Sequence, residues 1–214
     1  MNVGLMGGTF NPVHFGHLRI AEEAREGLFL DRVIFIPSAD PPHKPLAGDV
    51  PYRLRHEMVR TAIAGNRAFE LSDVEARRQG KSYSIDTISY FRASFPHDVL
   101  YFIIGSDSFC EIGTWHRYAE IFSSCNLIVA VRPGCHPVDP LDALPVAIRG
   151  EFVYTPENGT LQHDSGCLVH FIKGCPLDIS STEIRRLVAA GRSISYLVPP
   201  AVEAYITEQR IYHP

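Results

Sequence analysis

Two histidines three residues apart, His14 and His17, close the run Gly7-Gly8-Thr9-Phe10-Asn11-Pro12-Val13-His14-Phe15-Gly16-His17. A short apolar run, Val3-Gly4-Leu5-Met6, precedes the glycine pair, and a helical pattern follows from Gly16 to Phe29. The histidines therefore fall at a strand-to-helix junction. Backbone N–H groups freed at a helix N-terminus face outward with a favourable dipole, and glycines let a polyanion approach them closely. Three apart in a first turn, the two imidazoles share a face and offer two donors to one ligand. The chemistry this fits is phosphate binding. Taken singly, each piece has a plainer reading, a solvated turn histidine or a glycine-rich bend. The run has neither the G-x-x-x-x-G-K-[ST] pattern of a P-loop nor the G-x-G-x-x-G pattern of a dinucleotide fold.

A second anion-binding element is predicted at Ile179-Ser180-Ser181-Thr182-Glu183-Ile184-Arg185-Arg186. Ser180 as N-cap with Glu183 three residues on makes a capping box, which by itself needs no ligand. Arg185 changes the balance. Projecting from a first turn beside the hydroxyls of Ser181 and Thr182, it gives an anion a charge and a fork of donors, whereas Arg186 reads as a solvated face residue. Two helix starts converging on one triphosphate is the expectation.

Such starts need a scaffold. Near-continuous apolar runs at 2–6, 32–37, 99–104 and 126–131 read as strands covered on both faces, and helical patterns fall near 16–29, 51–64, 84–94 and 116–123. The order predicts an α/β fold, a doubly wound Rossmann-like parallel sheet with helices on both faces. A small C-terminal helical part follows, with helices near 181–190 and 200–209. We divide the chain into a Rossmann-like domain over 1–178 and a segment over 179–214 that completes the phosphate site. Residues 133–166, rich in Pro, Gly and short polar breaks, read as an irregular excursion or short hairpin. In a doubly wound sheet ligands lie beyond the carboxyl ends of strands, so the loops Pro37 to Lys44, Gly105 to Ser108 and Arg132 to Gly134 gain weight.

Composition bounds the partners. A net charge of −4 over 214 residues argues against a broad nucleic-acid surface, so any anion site is local. No apolar run approaches the roughly 18 residues that span a bilayer, and Met1-Asn2-Val3 enters a predicted strand without a signal-like segment. A cytoplasmic protein is expected, without a membrane or nucleic-acid partner, and a homo-oligomer is left open by the sequence. The five cysteines, an odd number without a C-x-x-C pair, fit reduced thiols rather than a disulfide framework. His163, Cys167, His170 and Cys175 lack the paired spacing of a zinc knuckle and read as residues of a loop and a strand.

Thr9 with His14-Phe15-Gly16-His17 resembles the T/H-x-G-H signature of the nucleotidyltransferase superfamily. Over nearly its full length the chain looks like the bacterial nicotinate-nucleotide adenylyltransferases, through Pro41-Pro42-His43-Lys44, Ser82-Tyr83-Ser84, Ile103-Ile104-Gly105-Ser106-Asp107, Thr114-Trp115, Arg132-Pro133-Gly134, Ile179 to Arg185 and the terminal Tyr205-Ile206 and Ile211-Tyr212. Asn11 departs from the Asp common in that family, yet makes the same turn without the charge. The resemblance implies adenylyl transfer from ATP to nicotinate mononucleotide, giving deamido-NAD and pyrophosphate. It places His14, His17, Lys44 and Arg185 in catalysis, and Gly7, Gly8, Thr9, Phe10, Gly105, Ser180, Ser181 and Thr182 against ATP. Tyr83, Ser84, Asp107, Trp115 and Arg132 then meet the mononucleotide, Trp115 by stacking on the pyridine. Mg²⁺ is expected on the ATP phosphates and water, without a protein cage. A nucleotide-sensing module without catalysis and a fragment of a class I aminoacyl-tRNA synthetase are the competing readings. The first is disfavoured because His17 and Arg185 are both present, the second because no Lys-Met-Ser-Lys-Ser segment is.

Overall fold

A computed structural model describes residues 1–42, 50–131, 140–173 and 177–213. Six strands, β1 (Asn2–Gly8), β2 (Arg32–Pro37), β3 (Phe69–Leu71), β4 (Val99–Gly105), β5 (Asn126–Val131) and β8 (Leu168–Lys173), run parallel in the order β3-β2-β1-β4-β5-β8. Two further strands, β6 (Phe152–Thr155) and β7 (Thr160–His163), extend the β8 edge antiparallel. Strand side chains alternate between two cores. Val3, Leu5, Ile34, Ile36, Phe102, Ile104, Leu127 and Val129 enter one, while Val33, Phe35, Ile103 and Ile128 enter the other. Burial on both faces is why these strands read as unbroken apolar runs.

Around the first core lie α3 (Val74–Arg77), α4 (Ser84–Ser94), α5 (Ser106–Cys110) and α6 (Tyr118–Ser124); around the second lie α1 (Phe15–Gly27), α2 (Tyr52–Ile63), α7 (Ser181–Ala189) and α8 (Pro200–Glu208). The sheet is thus doubly wound, as the strand-helix alternation predicts. Ile184, Leu187 and Val188 of α7 and Val202 and Ile206 of α8 share their core with Ala21 and Ala24 of α1. Helix α1 stops at Gly27, two residues before the predicted end, and Phe29 is left-handed and exposed.

Four strands are additional to the predicted set. The three residues of β3 are too few to show a period. In the 133–166 segment, β6 and β7 form a hairpin whose turn contains Asn158 and a left-handed Gly159, and β8 carries His170 within its apolar run. His163 of β7 meets Ser165 at 2.8 Å and Glu151 at 3.1 Å. Burial lowers the pKa of His170. Cys175 lies outside the described residues, and among those described no group of three or more His, Cys, Asp or Glu is placed to hold a metal ion. No helix of the described residues is long and apolar enough to cross a membrane.

The sheet reverses its order between β1 and β4. Their pairing runs from Asn2↔Val99 to Leu5↔Phe102 and stops three residues before either strand ends at Gly8 and Gly105. That splay is the crevice where a doubly wound sheet receives its ligand.

Candidate active site

The segment after β1 leads directly into α1. Phe10 adopts a left-handed backbone and buries its ring. A Cβ on Gly8 would meet that ring at 3.0 Å, so the glycine makes room for it. His14 is the N-cap of α1, extended and buried, and His17 lies half-buried in the first turn. Their rings stack with centroids 3.7 Å apart, and Phe10 meets His17 edge-on at 5.1 Å. The His14 backbone N–H donates to His17 Nδ1 at 3.3 Å. This bond fixes the orientation of the His17 ring relative to the start of α1.

Gly16 permits this arrangement, since a Cβ there would stand 3.0 Å from His14 ring atoms. A glycine-to-alanine change inside a helix ordinarily stabilises it by about 1 kcal/mol. Here Gly16→Ala is expected to act oppositely, lowering the melting temperature and raising the KM for ATP together. Thermal denaturation with steady-state kinetics checks it.

Helix α7 begins beside this segment. The Ser180 hydroxyl accepts from the Glu183 N–H at 3.2 Å, the predicted N-cap. The Glu183 carboxylate turns instead to Arg186, at 2.6 and 2.8 Å, which makes Arg186 the exposed partner of a surface ion pair. Ser181 Oγ donates to the Pro12 carbonyl at 2.9 Å, and Arg185 Nη1 donates to the Asn11 carbonyl at 2.7 Å. Arg185 Nη2 reaches Thr182 Oγ1 at 3.1 Å. The start of α7 is therefore in contact with the turn that leads into α1, through pairs 169 and 174 residues apart in the chain.

On the other side of β1, Gly105 ends β4 and caps α5, with Ser106 buried and Asp107 exposed. Phe102 of β4 lies against Gly7 and meets Trp115 edge-on with centroids 6.4 Å apart. Trp115 is thus partly a core residue. Tyr83 caps α4, with Ser84 its first residue, and the Tyr83 ring pairs with His116 at 4.2 Å. Lys44 and Arg132 lie outside the described residues.

Several contacts escaped the sequence reading, which quotes Ser82 and Tyr212 but assigns them no role. Ser82 Oγ accepts from the Ala39 and Asp40 N–H groups, both at 3.0 Å, and Lys81 pairs with Asp40 at 2.8 Å, so the loop after β2 is tied to the start of α4. Glu75, buried, accepts from Thr87 Oγ1 of α4 at 2.8 Å. His116 carried no signal beyond its neighbour Trp115, and Arg55 and Tyr212 none that ties them to Thr9 or Asn11.

Comparison with known proteins agrees with this geometry. Residues 5–187 match the cytidylyltransferase-like family. A Pelobacter propionicus protein named probable nicotinate-nucleotide adenylyltransferase is 69% identical over 99% of this chain and 98% of its own length. A Geobacter sulfurreducens protein of the same name is 58% identical over the same shares. In fold the chain is similar to Plasmodium falciparum nicotinic acid mononucleotide adenylyltransferase complexed with NaAD, with a TM-score of 0.75 and 20% identity over 99% of this chain and 97% of that one. Matched end to end at such identity, with both helix starts in place at the sheet's switch point, the chain belongs to the nicotinate-nucleotide adenylyltransferase family.

Proposed function

We propose that the chain moves the adenylyl group of ATP to nicotinate mononucleotide, giving deamido-NAD and pyrophosphate in NAD biosynthesis. The observation that carries this reading is the contact of the α7 start with the turn that leads into α1, with the His17 ring oriented by the His14 N–H. The nucleophile is the mononucleotide's own phosphate, already an anion, so no side-chain nucleophile or strong base is required. Catalysis then rests on in-line placement and on donors aimed at developing charge.

In this reading His17 donates from Nε2 to the α-phosphoryl oxygens as charge grows there, and His14 braces it. Gly7, Gly8, Thr9, Phe10 and Gly105 line the ATP path. Ser180, Ser181, Thr182 and Arg185 hold the triphosphate and the departing pyrophosphate, with Lys44 from the loop after β2. Tyr83, Ser84 and Trp115 receive the nicotinate ring and carboxylate, Asp107 accepts from ribose hydroxyls, and Arg132 meets phosphate. The nearby donors are imidazole N–H, hydroxyl and guanidinium groups, which suit phosphate oxygens rather than a hard cation. These side chains would leave a Mg²⁺ ion to the ATP phosphates and water, and when bound it would supply charge neutralisation there. Residues 179–214 act as the segment completing the ATP site. The substrates are two small nucleotides, which require no nucleic acid or membrane and suit the cytoplasm.

Pyrophosphate release assayed with ATP and each pyridine mononucleotide tests the reading, and a chain that turns over neither refutes it. Arg185→Ala is expected to raise the KM for ATP and slow turnover, whereas Arg185→Lys recovers only part because the planar fork is lost. Arg186→Ala, which breaks only an exposed pair with Glu183, should match the unaltered enzyme. Equal kinetics for the two alanine variants would remove Arg185 from the site.

A further inference from the structure

Four donors from three parts of the chain end on the short segment between Thr9 and Pro12. Besides Ser181 and Arg185 of α7, these are Arg55 of α2, whose Nη1 donates to the Thr9 carbonyl at 2.7 Å, and Tyr212, whose hydroxyl donates to Asn11 Oδ1 at 2.6 Å. Arg55 has no accessible surface, and its Nε donates to the Val50 carbonyl at 3.3 Å. Among the described residues its Nη2 has no hydrogen-bond partner, although Tyr212, Tyr52 and Glu75 are close enough to act on it electrostatically. Burying a guanidinium with an unmade hydrogen bond is costly, and an apolar side chain of similar volume would fill the space more cheaply. A packing role therefore does not account for Arg55.

What the arginine does is visible at the other end. In a trans peptide the C=O and the following N–H point in opposite directions. Holding the Thr9 carbonyl toward α2 fixes the direction of the Phe10 N–H. The Phe10 ring in turn lies edge-on to His17. Tyr212 acts from the end of the chain, its hydroxyl fixing the Asn11 carboxamide 201 residues away. Burial raises its pKa, so the phenol stays protonated and remains a donor at neutral pH.

We infer that Arg55 and Tyr212 are positioning residues of the adenylyl-transfer site, which hold the Thr9–Pro12 segment in the orientation that His17 and Arg185 need. This rests on the function proposed above. Neither residue is assigned a contact with a reacting atom. Their loss should therefore misplace the donors without touching the mononucleotide.

The test uses the full chain with Tyr212→Phe, Arg55→Lys and Arg55→Met. Initial rates of pyrophosphate release, the two KM values and melting temperature are measured for each, with calorimetric binding of the α,β-methylene analogue of ATP. Tyr212→Phe and Arg55→Lys should each lose about tenfold in kcat, with the KM for nicotinate mononucleotide within about twofold and the melting temperature nearly unchanged. Arg55→Met fills the space without the charge and should lose more. The inference falls if Tyr212→Phe and Arg55→Lys keep kcat within about twofold, or if Arg55→Met turns over like the unaltered chain. It also falls if kcat declines only in step with melting temperature. Should the unaltered chain bind the analogue but release no pyrophosphate with either mononucleotide, the proposed reaction is wrong. The positioning role is then judged on the analogue alone, and unchanged affinity in Tyr212→Phe and Arg55→Lys rejects it.

Discussion

Replacing His17 by alanine is expected to lower kcat by roughly 10²–10³ while changing ATP affinity only a few-fold, the scale for losing one donor aimed at transition-state charge. The asymmetry follows from geometry. Nδ1 of His17 is engaged by the His14 N–H, which fixes the direction of the ring. In the proposed site ground-state ATP would keep other anchors, among them the Arg185 fork and the start of α7, and these survive the substitution. The α-phosphoryl group gains charge on its equatorial oxygens only as it transfers, and that increment is what the imidazole meets. Single-turnover rates with saturating ATP, set beside the affinity of a non-transferable ATP analogue, separate the two quantities. A kcat near that of the unaltered enzyme would remove His17 from the chemistry.

The parts of this site that the sequence discloses are those that depend on local rules. Gly8 and Gly16 stand out as glycines beside a strand end and a helix start, but the approach the sequence predicts is that of a polyanion, whereas the structure puts the Phe10 and His14 rings against them. Ser180 is legible as an N-cap because capping is decided within one turn. The four long parallel strands stand out because burial on both faces leaves no polar interruptions. Arg55 is different. Its neighbours Leu54, His56 and Glu57 give α2 an ordinary amphipathic look, and only the tertiary contact with the Thr9 carbonyl distinguishes it from a surface arginine. Tyr212 and Ser82 are hidden for the same reason, since their partners lie 201 and 42–43 residues away. Strand β8 shows a related limit. His170 sits inside a run that burial would otherwise mark as a strand, and a single polar residue suffices to blur the period.

The second large effect concerns the mononucleotide. The enzyme is expected to prefer nicotinate mononucleotide over its amide by 10² or more in kcat/KM, from about 3 kcal/mol of lost and opposed contacts. In the proposed site the nicotinate carboxylate would accept from N–H groups near Tyr83 and Ser84 at the start of α4, where the helix dipole favours its charge. The neutral amide forfeits the charge assistance, and whichever way it turns its NH₂ faces a donor. Tyr83 is held in place, because its ring is paired with His116 and the preceding Ser82 is bound to the loop after β2. That rigidity makes the discrimination large, since a loose site could turn to satisfy the amide. Trp115 contributes differently. Its ring rests edge-on against Phe102, so Trp115→Ala removes an aromatic surface common to both ligands and should raise both KM values while sparing ATP affinity. Measuring kcat/KM for each mononucleotide at saturating ATP, in the unaltered enzyme and in Trp115→Ala, decides both points. Equal values in the unaltered enzyme would leave an adenylyltransferase without acid selectivity. A Trp115→Ala variant that changed the acid-to-amide ratio rather than both KM values would show that the tryptophan reads the carboxylate and not the ring.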